Sequence, residues 1–200
     1  MESEALEPPG PVLAFDTSAA HCAAALFVEG EIFTSVQEMD RGQAEALMPM
    51  LDELINARGL TYRDLKRLAV GIGPGNFTGI RISVSAARGL SMGLDIPAIG
   101  ISGFEALLYG QTSRSAAIPA PRDMAYLQHG GGPPFLIDRA DVPKDAVWPR
   151  APGAFVRNMV MVAAETGPDR LGPPPAPLYI RPADAAPSRD VPPVILDEPN

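Results

Sequence analysis

The hydrophobic positions of the first half of the chain follow the periods of strands and helices. Short runs of apolar or alternating residues predict five strands, at 12–15, 23–28, 32–37, 67–72 and 96–100. The turn residues Glu29-Gly30 join the second and third strands into a hairpin. Apolar residues that recur every three or four positions predict helices at 43–58 and 80–93, and a third that begins at 102.

The order of these elements predicts an α/β fold. Three strands are followed by alternating helices and strands, so right-handed crossovers extend a hairpin sheet. This is the order of the ribonuclease H-like, actin-like (ASKHA) fold. Pro49 falls inside the first helical pattern, where it either kinks the helix or marks its true first turn.

The second half of the chain is much less regular. Only 6 of the 23 prolines fall in residues 1–110, and 17 fall in 111–200. Weaker patterns predict strands at 116–119, 124–128, 135–137 and 177–181 and a helix at 154–165. The predicted organisation is a disordered leader at 1–11, an N-terminal lobe at 12–108, a shortened and degenerate C-terminal lobe at 109–186, and a tail at 187–200.

Charge and composition exclude some classes of protein. The formal net charge of -8 argues against a free-standing nucleic-acid binder, which needs a basic face. The single cysteine, Cys22, cannot form an intrachain disulfide, and burial as an inert thiol is the simplest interpretation. No apolar stretch is long enough to cross a bilayer. We therefore predict a cytoplasmic protein without membrane contact.

Two polar loops are candidates for ligand binding. One follows the first strand and the other, rich in glycine, follows the fourth strand and leads into a helix, where amides and the dipole attract anions. The loops supply nine candidate nucleotide-binding residues: Asp16, Thr17, Ser18, Gly73, Pro74, Gly75, Asn76, Phe77 and Thr78. The alternative is structural, because the loop matches neither common phosphate-binding pattern and its glycines also permit a tight turn and close helix packing.

Other polar residues give no sign of catalytic or metal-binding chemistry. His21 and His129 are the only histidines, and neither has a neighbour at metal-ligand spacing. Ser18 and Ser102 lack an obvious base. We predict no catalytic residue and no metal site.

The apolar stripe of the first helix and the small residues of the second fit either a core or an interface between proteins. The candidate interface residues are Met48, Leu51, Leu54, Ile82, Ala86 and Leu90.

Four segments resemble the TsaB (YeaZ) family, bacterial proteins needed to make threonylcarbamoyladenosine beside the tRNA anticodon. They are residues 12–18, 47–51, 71–82 and 89–93, and the G-P-G-x-F-T-G-[IV]-R pattern at 73–81 is the most specific. The resemblance covers 12–108 and implies an actin-like fold.

The resemblance implies a non-catalytic scaffold subunit. TsaB-like proteins are related to TsaD, the transferase, which binds a metal through histidines that 41–48 and 100–104 lack here. Implied partners are a TsaD-like transferase, a TsaE-like ATPase, a second copy when the chain is alone, and tRNA only through the complex. No intrinsic cofactor is implied, with ATP or ADP expected at the complex junction.

One feature departs from the family pattern, and another leaves an alternative function open. The family's usual A-[IM]-D-A-R segment reads Ala117-Ile118-Pro119-Ala120-Pro121-Arg122, without its aspartate. The two polar loops also fit an ATP-dependent small-molecule kinase of the actin-like fold, although the degenerate second half offers no clear second phosphate loop.

Overall fold

The first half of the chain folds into a five-stranded sheet. A computed structural model describes residues 10–167 and 171–180. The strands are β1 (Val12–Asp16), β2 (His21–Val28), β3 (Glu31–Glu38), β4 (Arg67–Gly71) and β5 (Ala98–Ile101). Their order in the sheet is β3-β2-β1-β4-β5, with β4 and β5 added in parallel. The β2–β3 turn uses Glu29 and Gly30, both at positive φ, as a tight hairpin requires.

Two helices cover one face of this sheet. These are α1 (Gln43–Asn56) and α2 (Phe77–Leu94), separated along the chain by β4 and a short 3-10 turn at Tyr62–Asp64. Alternate residues of β1, Leu13 and Phe15, point to this face and pack beneath both helices. Pro49 lies inside α1, so the interpretation that it marks the first turn is wrong.

The other face of the sheet is covered partly by the second half of the chain. The helices there are α3 (Gly103–Leu108) and α4 (Pro152–Glu165). Buried α4 residues, Met159 among them, pack against Val12 and Ala14 of β1. Although α4 falls within the predicted C-terminal lobe, it therefore belongs to the core of the first sheet. The boundary between lobes at 108/109 stays a prediction. The helix α4 follows this boundary in sequence but packs on the sheet that precedes it.

The second sheet has three antiparallel strands. They are β6 (Ser115–Ala120), β7 (Met124–His129) and β8 (Phe135–Asp138), in that order. One side of β6 packs on Phe104 and Leu107 of α3, which joins the two sheets. Among the described residues no helix is both long and apolar enough to span a bilayer.

The predicted elements at the end of the chain have different outcomes. Residues 177–180 do not form the predicted strand, although the Leu178 amide donates to the Ile72 carbonyl at 2.8 Å. Arg181, the tail at 187–200 and residues 1–9 of the predicted leader lie outside the described residues.

Candidate functional site

The ends of β1 and β4 meet at one edge of the first sheet because the two strands are parallel neighbours. A cleft of about 690 Å³ opens there, between the first sheet, the second sheet and the start of α4. Its polar wall includes Asp16, Ser18, His21, Asp40 and Gln43. The facing wall is built largely from prolines and aromatic side chains, with Arg150 as its cation. Two sequence-predicted loops are thus brought to one cleft, as expected for a sheet of this kind.

Asp16 is the centre of the polar wall. Its side chain is buried, and Oδ2 accepts hydrogen bonds from the Ser18 amide at 3.1 Å and the Ser18 hydroxyl at 3.0 Å. His21 Nε2 lies 2.9 Å from the same oxygen. Because the Ser18 hydroxyl donates to the carboxylate, it is not aligned as a nucleophile on His21. Oδ1 has no partner, and only a glycine at 71 leaves room for it.

The glycine-rich loop is bonded to the turn that follows Asp16. The Thr17 hydroxyl donates to the Gly79 carbonyl at 2.7 Å, and the Asn76 amide donates to the Ser18 carbonyl at 2.7 Å. A Cβ at Gly79 would overlap the Thr17 carbonyl oxygen, and one at Gly75 would overlap that of Ser18. The glycines are therefore required for close approach of two loops, which is the structural alternative set out above.

The amides at the start of α2 are partly consumed by the protein itself. The Asn76 side chain caps the helix by accepting from the Gly79 amide at 2.9 Å. This cap starts α2 three residues before the predicted Ile80, at Phe77. The Asn76 and Gly79 amides are thus bonded within the protein, and two carboxylates on the same wall disfavour an anion there.

The nine candidate nucleotide-binding residues do not share one surface. Five of them line the cleft: Asp16, Ser18, Pro74, Gly75 and Asn76. The other four, Thr17, Gly73, Phe77 and Thr78, are not part of its lining. Across residues 10–167 and 171–180, no three His, Cys, Asp or Glu side chains converge as metal ligands would. Binding of nucleotide stays a prediction.

Comparison with known proteins shows which protein families the chain resembles. The family model for TsaD, tRNA N6-adenosine threonylcarbamoyltransferase, matches residues 34–132. The tRNA threonylcarbamoyladenosine biosynthesis protein TsaB of Escherichia coli (strain K12) is 32% identical over 106 residues, 53% of this chain and 46% of that protein. TsaB of Haemophilus influenzae is 40% identical over 97 residues, 48% of this chain and 41% of that protein. Over about half of its length the chain is similar to proteins of the TsaB (YeaZ) family.

The structural comparison shows that the chain shares the fold of YeaZ. YeaZ from Pseudomonas aeruginosa superimposes with a TM-score of 0.65 and 24% identity, over 86% of this chain and 100% of that one. The predicted actin-like fold and the family resemblance are confirmed. The matched region spans a little less than half the length of the curated TsaB relatives.

The structure corrects part of the interface predicted from the sequence. Leu51 and Leu54 are buried in the core beneath α1, because the helix turns their side of the stripe toward the sheet, so they are not surface residues. Met48 is 37% exposed. Ile82, Ala86 and Leu90 of α2 are half-buried against the same core and retain accessible surface. These four remain candidates for contact with another protein.

Two side-chain contacts were not predicted from the sequence. The His21–Asp16 pair joins residues across the β1–β2 hairpin, and the five-residue spacing of a histidine after a strand-end aspartate was its only signal. Tyr179 stacks on Phe77, with ring centroids 5.4 Å apart. No local pattern predicts a contact between residues so far apart in sequence.

Proposed function

We propose that this chain is a non-catalytic scaffold subunit in the synthesis of threonylcarbamoyladenosine in tRNA, where it pairs with a TsaD-like transferase. The observation that carries the proposal is the similarity of the chain to two related kinds of protein. About half of it is similar to TsaB proteins named for this biosynthesis, and residues 34–132 match the family model of the TsaD transferase. A chain that resembles the transferase in fold is suited to pack against it through equivalent helices.

The surface of α1 and α2 supports pairing. Met92 of α2 is 86% exposed, and Met48 of α1 is partly exposed. At Gly89, three residues before Met92 in α2, an added Cβ would meet no other atom within 4 Å. A helix with small residues and methionines on its open side permits close packing of a partner helix.

The remaining partners belong to the same proposal. A TsaE-like ATPase would join the pair, tRNA would be bound through the complex, and two copies of this chain would pair when it is alone. ATP or ADP would be held at the junction between subunits. The loop geometry supports that location over the cleft of this chain, because the Asn76 and Gly79 amides are bonded internally and two carboxylates lie on the cleft wall.

The kinase alternative receives no support from the cleft. A kinase of the actin-like fold needs backbone amides that are free to hold phosphates. Here the Asn76 and Gly79 amides are already bonded, and the carboxylates of Asp16 and Asp40 lie on the same wall.

A reconstituted modification assay tests the proposed function. The TsaD-like transferase and the other components from the same organism are given unmodified tRNA with and without this chain, and incorporation of labelled threonine is measured. We expect incorporation only when this chain and the transferase are both present. Equal incorporation without this chain, or incorporation by this chain in the absence of the transferase, would contradict the proposal.

A further inference from the structure

The last described segment of the chain lies along α2. We call residues 171–180 the strap. Arg88 of α2 donates through Nε to the Pro175 carbonyl at 2.8 Å, and Arg81 donates through Nε to the Tyr179 hydroxyl at 3.1 Å. The strap therefore runs antiparallel to the helix, from Arg88 back toward its first turn. It adds a second surface beside the open side of α2.

An exposed aromatic pair is fixed where the strap meets the start of α2. Phe77 and Tyr179 are stacked with 28° between their rings, and the Arg81 guanidinium carbon lies 4.1 Å from the centre of the Phe77 ring. Phe77 is 53% exposed and Tyr179 is 49% exposed. The hydrogen bond and the stack hold three large side chains in place, so little side-chain entropy remains to be lost on binding.

Within residues 10–167 and 171–180, the charges of this surface have no acidic partner, since the single ion pair of these ranges joins His21 and Asp16. In the same ranges, the guanidinium groups of Arg81 and Arg88 donate to a hydroxyl and a carbonyl oxygen. In a chain with a net charge of -8, two arginines beside exposed aromatic rings form an unusual surface. Aromatic and arginine side chains are the residue types that carry most binding energy at protein interfaces.

We propose that Phe77, Arg81, Arg88 and Tyr179 form a contact surface for a carboxylate-bearing segment of the TsaD-like partner. We call this group the strap surface. The inference rests on the proposed function and extends the interface beyond the helices to the end of the chain. Continuity favours a protein as the occupant, because the strap surface adjoins the open side of α2, where Ser85 and Gly89 are exposed. It also gives Phe77, first considered for nucleotide, a different role.

The chemistry of the contact follows from the two kinds of side chain. The stacked rings would cover an apolar side chain of the partner, while the guanidinium groups would pair with its Asp or Glu side chains. Binding through these arginines should weaken as salt rises, because screening acts on the charge pairs.

Binding measurements with matched variants test the strap surface. The full chain and the TsaD-like transferase are titrated by calorimetry, using wild type, Phe77→Ala, Tyr179→Ala and Arg81→Gln. The control is Phe135→Ala on β8, which removes a ring of similar exposure from the second sheet. We expect affinity to fall about tenfold or more for Phe77→Ala and Tyr179→Ala, and to stay within about twofold for the control. Arg81→Gln should reduce the salt dependence of binding.

The outcomes separate this inference from the proposed function. If wild type and all variants bind the transferase equally well, the strap surface is wrong and pairing still stands. If wild type does not bind, both proposals are overturned. Reduced binding of tRNA by the variants with unchanged affinity for the transferase would also overturn the inference, since the surface would then bind nucleic acid. Thermal unfolding of each variant confirms that lost binding is not lost folding, and Tyr179→Phe, which keeps the ring, should retain most of the affinity.

Discussion

The role of a glycine in α2 depends on which atoms lie next to it. Gly79 and Gly89 both lie in α2, yet they have opposite surroundings. At Gly79 a Cβ would overlap the Thr17 carbonyl oxygen, whereas at Gly89 it would enter open space. Gly79 is therefore required for the close approach of the loop, whereas Gly89 only lowers the helix propensity of α2.

Gly79→Ala should lower the free energy of unfolding by about 2 kcal/mol or more, because the fixed backbone of the Asp16 turn cannot move away without losing its bonds to α2. Gly89→Ala should leave stability unchanged or raise it by up to about 1 kcal/mol, as expected at an exposed helical position. Urea unfolding followed by circular dichroism measures both. Equal effects of the two substitutions would show that the loop contact contributes nothing.

Cys22 makes stability depend on alkaline pH. Burial, with a smaller contribution from the Asp16 charge, raises the pKa of its thiol from 9.0 to about 11. The folded chain therefore keeps a proton that the unfolded chain releases, so stability is complete below pH 9 and falls as pH rises toward 11. We expect the loss to be measurable between pH 9 and 10, ahead of the titration of Tyr109, whose pKa is raised to about 12 by its hydrogen bond to Glu165 and by burial.

Cys22→Ala supplies the control for this pH dependence. Removing the thiol should flatten the stability profile between pH 9 and 10, measured as the thermal midpoint in matched buffers. An unchanged slope in Cys22→Ala would mean that another group is responsible.

Sequence patterns predicted the helices and strands better than the way in which they pack on one another. All five strands of the first sheet were predicted, because each is a short apolar run with turns beside it. The helix at 154–165 was also predicted, and α4 spans Pro152–Glu165. Periodicity could not show that α4 packs on β1 and β2, because the pattern of a helix identifies its apolar side but not the surface that covers it.

For the candidate site, too, the sequence predicted which loops meet but not how they are bonded. Strand ends placed Asp16 and the glycine-rich loop beside each other, which topology alone requires. The bonds of the Thr17 hydroxyl to Gly79 and of the Asn76 amide to Ser18 were not predicted, because they join residues about sixty positions apart. For the same reason the stripe of α1 did not reveal that Leu51 is buried while Met48 is partly exposed.

Arg67 anchors α4 to the first sheet. It is buried at the start of β4 and donates to the carbonyl oxygens of Ala163 and Thr166, the latter at 2.7 Å, at the end of the helix. Arg67→Met should lower the free energy of unfolding by roughly 2–4 kcal/mol, since buried carbonyls lose a charged donor. Arg63→Met, on the exposed 3-10 turn, should change stability by less than about 0.5 kcal/mol. Chemical denaturation measures both, and equal midpoints would contradict an anchoring role.

At the scale of the whole molecule, the two halves of the chain are joined by more than a linker. The helix α4 returns to the first sheet, α3 supports the second sheet, and the strap returns to α2. The irregular, proline-rich half therefore completes the first lobe and presents a surface beside α2. Hydrogen bonds join the two loops beside the cleft, and we propose that the function lies in the surfaces that face a partner.

Size-exclusion chromatography coupled to light scattering measures whether this chain pairs with a TsaD-like transferase. The full chain of 21.1 kDa is mixed with the TsaD-like transferase of the same organism at concentrations on the order of 10 µM. The account predicts one peak whose mass is the sum of one copy of each protein, and loss of that peak when Met48→Arg places a charge on the open side of α1 while the chain stays folded. Separate elution of the two wild-type proteins would contradict it.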